Sequence, residues 1–415
     1  MRSKRLSLAV TAALAILAAT IFMAATRAAA QTEKVLLDLT YDGGVGGDPQ
    51  AGLIVDAVGN LYGTTAFGGP HNGGSVFELS PAKGGTWSLK PLHLFLTGVH
   101  DGQRPQAGVI FDAAGNLYGT TYWGGTYDVG TVFELMHQPN GSWNENRLYS
   151  FSNVGGDGNS PQAGVIFDAA GNLYGTTMIG GSDKVGTVYE LTPQADGTWK
   201  EEILHSFLNN GTDGFILLAG LVLDHAGNLY GATVQGGPSD VGTIFELTPT
   251  AEGPWTEKIL YDFNQNGDGN FPYGTLIFDA AGNLYGTTTQ GGAYGWGTAF
   301  ELSPTESGQW VETILYNFNN DGVTGTNPYS KLIFDAKGNL YGTAEGGGIN
   351  DYGVAFKLTP ATGGGWTETV LYNFGSVGDG VYPLGSLAFG RGGNLYGTTD
   401  EGGTTGYGTV FEITP

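Results

Sequence analysis

The sequence predicts an all-β chain folded as a seven-bladed β-propeller of four-stranded blades. Three observations carry that expectation. The motif Gly-Asn-Leu-Tyr-Gly starts at residues 59, 115, 171, 227, 282, 338 and 393, a spacing of 55 or 56 residues, and a period this regular marks a repeat architecture. Each period holds four runs with strand character and none with a helical one. The two ends of the chain are complementary fragments of one unit, as ring closure requires.

In chain order, Arg2, Lys4 and Arg5 precede an apolar run from Leu6 to Ala25, and Ala28, Ala29 and Ala30 precede Gln31. The basic, apolar, small-residue order is that of a secretory signal peptide over residues 1–30, cut after Ala30. An uncleaved anchor is the alternative, because a bilayer span needs ~20 apolar residues. Cleavage removes Arg2, Lys4, Arg5 and Arg27 and no acid, which takes the net charge from −23 to −27. So acidic a surface repels polyanions, and neither nucleic acid nor, after cleavage, a membrane is expected as a partner. The chain has no cysteine, which excludes disulfides, thiol catalysis and thiolate metal sites. The mature protein is expected to be secreted, periplasmic or at the cell surface, as a monomer.

Residues 31–415 read as repeats of ~56 residues. In the third, strand A covers residues 163–167, strand B 172–177, strand C 186–191 and strand D 199–207. Between A and B stands Asp-Ala-Ala-Gly-Asn, where the Asp side chain caps the turn and the Gly takes positive φ without a Cβ penalty. The first element after the leader, residues 34–40, matches the end of a strand D with no A, B or C before it. The last repeat stops after strand C at residues 410–415. An N-terminal strand completing the last blade would close the ring of 28 strands, whereas the alternative, a β-solenoid, has no need of matched half-units.

With A nearest the axis, the B-to-C loops and D-to-A crossovers share one face and the A-to-B and C-to-D turns the other. The A-to-B turn hardly varies. The two residues before the Gly-Gly of the B-to-C loop vary widely: Ala66-Phe67, Tyr122-Trp123, Met178-Ile179, Val234-Gln235, Thr289-Gln290, Glu345-Gly346 and Asp400-Glu401. They run from aromatic and apolar through amide to acidic, the equipment of a sugar or peptide site. The candidate ligand-binding residues are therefore Phe67, Tyr122, Trp123, Met178, Gln235 and Gln290, with the loop aromatics Trp296, Tyr352 and Tyr407; Tyr127 and Tyr294 add to them. Free drift of loop tips is the plainer reading.

The crossovers repeat an Asp-Gly at Asp101, Asp157, Asp213, Asp268, Asp321 and Asp379. Asn264, Asn266 and Asp268 fall at alternate positions before Gly269, the beginning of a calcium loop that lacks its closing Glu; Ca2+ is the one cofactor considered, against a tight turn. His71, His93, His100, His137, His205 and His225 read as singletons at different repeat positions, without metal-ligand spacing. The strand C acid (Glu78, Glu134, Glu190, Glu246, Glu301, Glu412) becomes Lys357 in the sixth copy, as a strand-end hydrogen-bonding position could tolerate. Glu345, Asp400 and Glu401 are the candidates for an acid/base cluster, beside the reading that they are solvated acids.

The unit Phe-Asp-Ala-Ala-Gly-Asn-Leu-Tyr-Gly-Thr-Thr, then Gly-Gly, then Gly-Thr-Val-Phe-Glu-Leu resembles the GloVer (Gloeobacter–Verrucomicrobia) tandem repeat family over residues 34–415. The resemblance implies an exported bacterial protein, of the kind often given one of several C-terminal anchors, and implies no activity. The chain ends at Pro415 without a sorting signal, so release is expected over anchoring. The Asp-x-x-Gly-Asn-Leu-Tyr step is also similar to hairpins of NHL and gluconolactonase-type propellers, whose metal-binding acids cannot be placed here, so the enzymatic implication does not carry over. The leading expectation is a non-catalytic binding module for a glycan or protein ligand. A propeller-type glycan lyase or hydrolase is the alternative, and a passive surface or matrix component the third.

Overall fold

The computed structural model describes residues 32–41, 44–97, 101–152, 154–251, 253–264 and 267–414. The expected signal peptide, residues 1–30, lies outside them. The fold grows from the A-to-B turn. In blade 2, Asp112 Oδ1 accepts the N–H groups of Ala114 and Asn116 at 2.8 Å each, and Oδ2 accepts the Asn116 amide at 2.9 Å. Gly115 holds φ 87°. This closed turn sends the chain from strand A (Ile110–Phe111) into strand B (Leu117–Thr121), then C (Thr131–His137) and D (Trp143–Ser150), antiparallel and in that spatial order. Strand B is buried along its whole length, since neighbouring blades cover both its faces.

Seven such sheets surround one axis. Each of the seven core clusters draws on adjoining blades. The strand B tyrosine of one blade meets the strand A phenylalanine of the next edge-on, as in Tyr118–Phe167 at 4.9 Å and Tyr285–Phe334 at 5.0 Å. Gly119 is small for a packing reason: a Cβ there would lie 2.6 Å from the Phe133 ring. The strand C acid accepts the strand B hydroxyl, Tyr118 to Glu134 at 2.6 Å and Tyr230 to Glu246 at 2.8 Å. In blade 6 the Lys357 ammonium instead stands 5.5 Å from the Tyr341 ring.

Closure follows the expected route. Thr32–Asp38 pairs antiparallel with Thr409–Thr414, from Thr32↔Thr414 to Asp38↔Thr409, and completes blade 7 as its strand D. Blade 7 then meets blade 1, where the Thr398 hydroxyl donates to the Ala51 carbonyl at 2.8 Å. The solenoid alternative is thereby set aside.

Strand A is shorter than expected, two paired residues (Ile166–Phe167) instead of residues 163–167. The reason is a competing bond. The carbonyl of Ala163 is taken by the Thr120 hydroxyl of the preceding blade at 2.9 Å, and that of Ala219 by Thr176 at 3.1 Å. In six of the seven blades the upper part of the A segment is thus stitched to the preceding blade; Ala232 leaves blade 5 without the bond, and in blade 6 Ser330 also bonds Thr343 of its own strand B. Among the described residues, six two-stranded ribbons raise the strand total from 28 to 40.

Candidate functional site

Those ribbons build the variable face. Each pairs a D-to-A crossover with a B-to-C loop, as Gly102–Gln103 does with Trp123–Gly124 and Gly380–Val381 with Glu401–Gly402. In blade 1 the bridge Gly47↔Phe67 takes the same place. Both loop classes therefore share one face, and the variable pairs stand at equivalent positions around it.

Beside them runs a second ring. Asp48, Arg104, Ser160, Ile216, Phe271, Asn327 and Tyr382 all have positive φ, between 54° and 60°. Such backbone is costly for any side chain and an outlier for a β-branched one. Each is held from both sides. The Ile216 N–H donates to Val185 O of the preceding blade at 3.0 Å, and Ile216 O accepts from Val234 N at 2.9 Å; Tyr382 does the same with Tyr352 O and Asp400 N, at 3.0 Å each. The ring was not anticipated. Its sequence trace is a freely varying residue before a proline (Pro49, Pro105, Pro161, Pro272, Pro328, Pro383; Leu217 in the fourth copy).

The predicted residues divide by environment. Of the variable pairs, the first member turns inward: Ala66, Val234 and Thr289 are buried, and Tyr122, Met178, Glu345 and Asp400 are half-buried. Among the second members and loop aromatics, Phe67 and Gln235 are half-buried, while Trp123, Gln290, Glu401, Trp296, Tyr352 and Tyr407 are exposed, as are Tyr127 and Tyr294. Phe67 and Trp123 are joined by Arg104, whose guanidinium carbon lies 4.4 Å and 3.9 Å from the two ring centroids.

The acids gather at the closure. The Tyr41 hydroxyl donates to Asp48 at 2.8 Å, and the Tyr41 ring meets Tyr407 at 4.1 Å. The Asp400 carboxyl is pushed up to about 7, chiefly by burial and then by the negative charges of Asp48, Glu401 and Glu345. Burial raises Glu345 as well. Closing the ring therefore brings the acidic end of the series against its aromatic beginning.

An axial channel of about 390 Å³ opens between the A segments. Gln50, Gln162, Tyr273 and Tyr329 line it, with Lys331 rising into it where other blades carry glycine or a hydroxyl. Lys331 is accessible along the channel yet surrounded by protein, which lowers its ammonium pKa.

One expectation about metals needs correction. His93 and His205 do not stand at different repeat positions. They are the same strand D position of blades 1 and 3, and each faces an Asp-Gly aspartate of the crossover and a strand D glutamate of the next blade. His93 lies 3.4 Å from Asp101, and His205 lies 3.8 Å from Asp213 and 3.4 Å from Glu257. The signal in the sequence was the spacing of two periods. The Asp-Gly aspartates are sockets between blades, not exposed turns, with Asp321 as the exception: it caps Val323 and Thr324 on the surface, and Thr324 holds the socket position. Of the calcium-loop candidates, Asn264 and Asp268 are described. Asp268 is buried and accepts from Tyr261 at 2.7 Å, the Asn264 amide at 2.9 Å and Gly269 N at 2.8 Å, so its oxygens tie the loop to strand D. Asn266 lies outside the described residues.

No curated protein matches the chain. A crystal structure of a puromycin hydrolase S511A mutant complexed with PGG superposes with a TM-score of 0.50 at 12% identity, over 85% of this chain and 50% of that one. This chain thus spans half the length of that structure, and the likeness is one of fold. The Gloeobacter/Verrucomicrobia repeat matches residues 18–224 and 198–411, which takes in all seven copies of the turn and the ring they close. The chain belongs to the Gloeobacter/Verrucomicrobia repeat family.

Proposed function

We propose that this propeller is a non-catalytic binding module, exported from the cell, whose ligand lies across the face of B-to-C loops and D-to-A crossovers. The observation behind it is the contrast between the two faces. One is built from near-copies of an Asp-capped turn. The other carries its differences at equivalent positions, held on strained backbone, with exposed aromatics next to carboxylates. Strain of this kind persists where surrounding structure enforces it and is concentrated at binding sites. Stacking surfaces beside hydrogen-bond acceptors suit a glycan, and an extended protein segment is the second ligand class for the same surface.

Calorimetric titration of residues 31–415 with neutral oligosaccharides tests the reading. Trp123→Ala and Tyr407→Ala are each expected to weaken binding by about 1–3 kcal/mol, the scale of an aromatic anchor at an interface. Unchanged affinity in both variants would remove this face as the site. The lyase or hydrolase reading keeps one supporting feature, the raised Asp400 carboxyl among Asp48, Glu345 and Glu401, since an acid titrating near neutrality can deliver a proton. The double change Asp400→Ala, Glu401→Ala separates the two: it abolishes turnover in an enzyme and only weakens binding in a module.

A further inference from the structure

We infer that His205, Asp213 and Glu257 form a site for one divalent transition-metal ion such as Zn2+, tying blade 3 to blade 4. The three residues come from separate elements: strand D of blade 3 (Trp199–Ser206), the crossover that follows it, and strand D of blade 4 (Gly253–Asp262). One donor atom from each lies within 4.8 Å of the other two. His205 Nε2 stands 3.4 Å from Glu257 Oε2 and 3.8 Å from Asp213 Oδ2. Tetrahedral zinc with bonds of about 2.0–2.2 Å sets its ligand atoms about 3.3–3.6 Å apart, so small side-chain adjustments suffice.

Two polar atoms buried without a hydrogen bond distinguish this junction, His205 Nε2 and Asp213 Oδ1; Glu257 Oε1 lacks one as well, as do the matching atoms of Glu33, Glu145, Glu201 and Glu312. The Asp213 side chain is only 7% exposed, and an unsatisfied polar atom so deep is costly. The sibling junctions show what is missing. Between blades 4 and 5 the Tyr261 hydroxyl bridges both carboxyls, at 2.7 Å to Asp268 and 3.2 Å to Glu312, and Asp268 Oδ1 takes the N–H of Gly269. Between blades 1 and 2, His93 reaches Asp101 Oδ1, which also takes the N–H of Gly102. At His205 the ring nitrogen hydrogen-bonds neither carboxyl and Asp213 Oδ1 takes no N–H, and a cation supplies the missing partner.

The donor chemistry narrows the ion. Two carboxylates match a double positive charge, and an imidazole nitrogen favours zinc and its neighbours over Ca2+ or Mg2+. The edge-on contact with Phe207, at 4.6 Å between centroids, holds the His205 ring in place. Three protein donors leave a fourth position for a water molecule. A proton shared between Asp213 and Glu257 is the competing arrangement.

The test uses the full chain, stripped with a chelator and titrated with ZnCl2, with metal content, calorimetry and thermal unfolding as readouts. His205→Tyr recreates the arrangement of Tyr261 one junction along, so it is expected to fold. His93→Tyr is the matched control. One equivalent of zinc should bind and raise the melting temperature. His205→Tyr should weaken binding by more than the ~10–100-fold that loss of an outer-shell partner costs, and His93→Tyr should leave it intact. No uptake by the unaltered protein would remove the metal from the junction, and uptake unaffected by His205→Tyr would place the ion elsewhere; either result overturns the assignment.

Discussion

The junction between blades 7 and 1 differs from the six others at every position of one socket. At the six, a strand D histidine or tyrosine faces a glutamate from the next blade, and at five of them a crossover aspartate joins the pair. At the ring closure the three positions are Leu37, Val45 and Leu89, packed in one apolar cluster with Leu39 and Leu53. All three members changed together. A buried polar network that is partly satisfied is worse than either a complete one or none, so the socket exchanges polarity as a unit. The Thr pairs of the blade interior obey the same logic: Thr121 and Thr131 share a hydrogen bond of 2.8 Å, and blade 6 replaces both partners, with Ala344 and Val354.

The largest effect comes from breaking the apolar socket at one position. Val45→Asp places a carboxyl among Leu37 and Leu89, where no strand D tyrosine or histidine stands to receive it. The expected loss is about 3–5 kcal/mol at neutral pH, the range for an uncompensated buried charge, read from the midpoint of urea unfolding. Much of it should return at pH 4, where the new group is protonated. A loss equal at both pH values would mean that shape, not charge, governs the junction.

Next comes the pH profile of the unaltered protein. Glu33, Glu201 and Glu368 are each pushed up to about 7, first by burial and, for the first two, next by a facing aspartate. Glu312 is raised in the same way, with Asp268 opposite it. A raised acid keeps its proton in the folded state after the unfolded chain has released it, so stability falls as pH rises from about 4.5 to about 7 and then levels off. Asp335, lowered to about 2 by its bonds to Asn339, Lys337 and Tyr341, acts oppositely, losing its contribution only as pH drops from about 4 toward 2. A melting temperature highest between these limits is the expected result, and one that climbs from pH 5 to 8 would contradict the sockets as drawn. Replacing Tyr261, Asp268 and Glu312 together by Leu, Val and Leu should flatten part of the slope.

The contrast also shows what a sequence can disclose. The Asp112, Asn116 and Tyr118 turn was legible because every bond in it is local, and the closure because residues 34–40 and 410–415 name each other as fragments of one unit. The acid series ending at Asp400 was legible as a pattern around a ring. The sockets were not, since Glu257 and His205 are 52 residues apart and meet only when blade 4 stacks on blade 3. Strand A read too long for a similar reason: the carbonyl of Ala163 prefers a threonine of the neighbouring blade, and no local propensity records that. The left-handed ring escaped because Ile216 and Phe271 are residues that turn rules do not place at positive φ.

The smallest effect is expected from making one polar socket resemble another. The junction between blades 5 and 6 has Thr324 where others have aspartate, and there Glu368 accepts from Tyr316 at 2.9 Å without a second carboxyl. Asp268→Thr copies that arrangement to Glu312. It removes the facing negative charge while keeping burial and the Tyr261 hydroxyl, so the Glu312 carboxyl should titrate lower. Loss of the bonds from Asn264 and Gly269 costs about 1 kcal/mol, which relief of carboxyl repulsion above neutrality offsets. The variant should therefore be less stable than the unaltered protein at pH 5 and nearly equal to it at pH 8, with melting curves at the two pH values as the measurement. A deficit that is the same at both would show that the aspartate serves its crossover alone, and that the facing carboxyls of a polar socket do not sense one another.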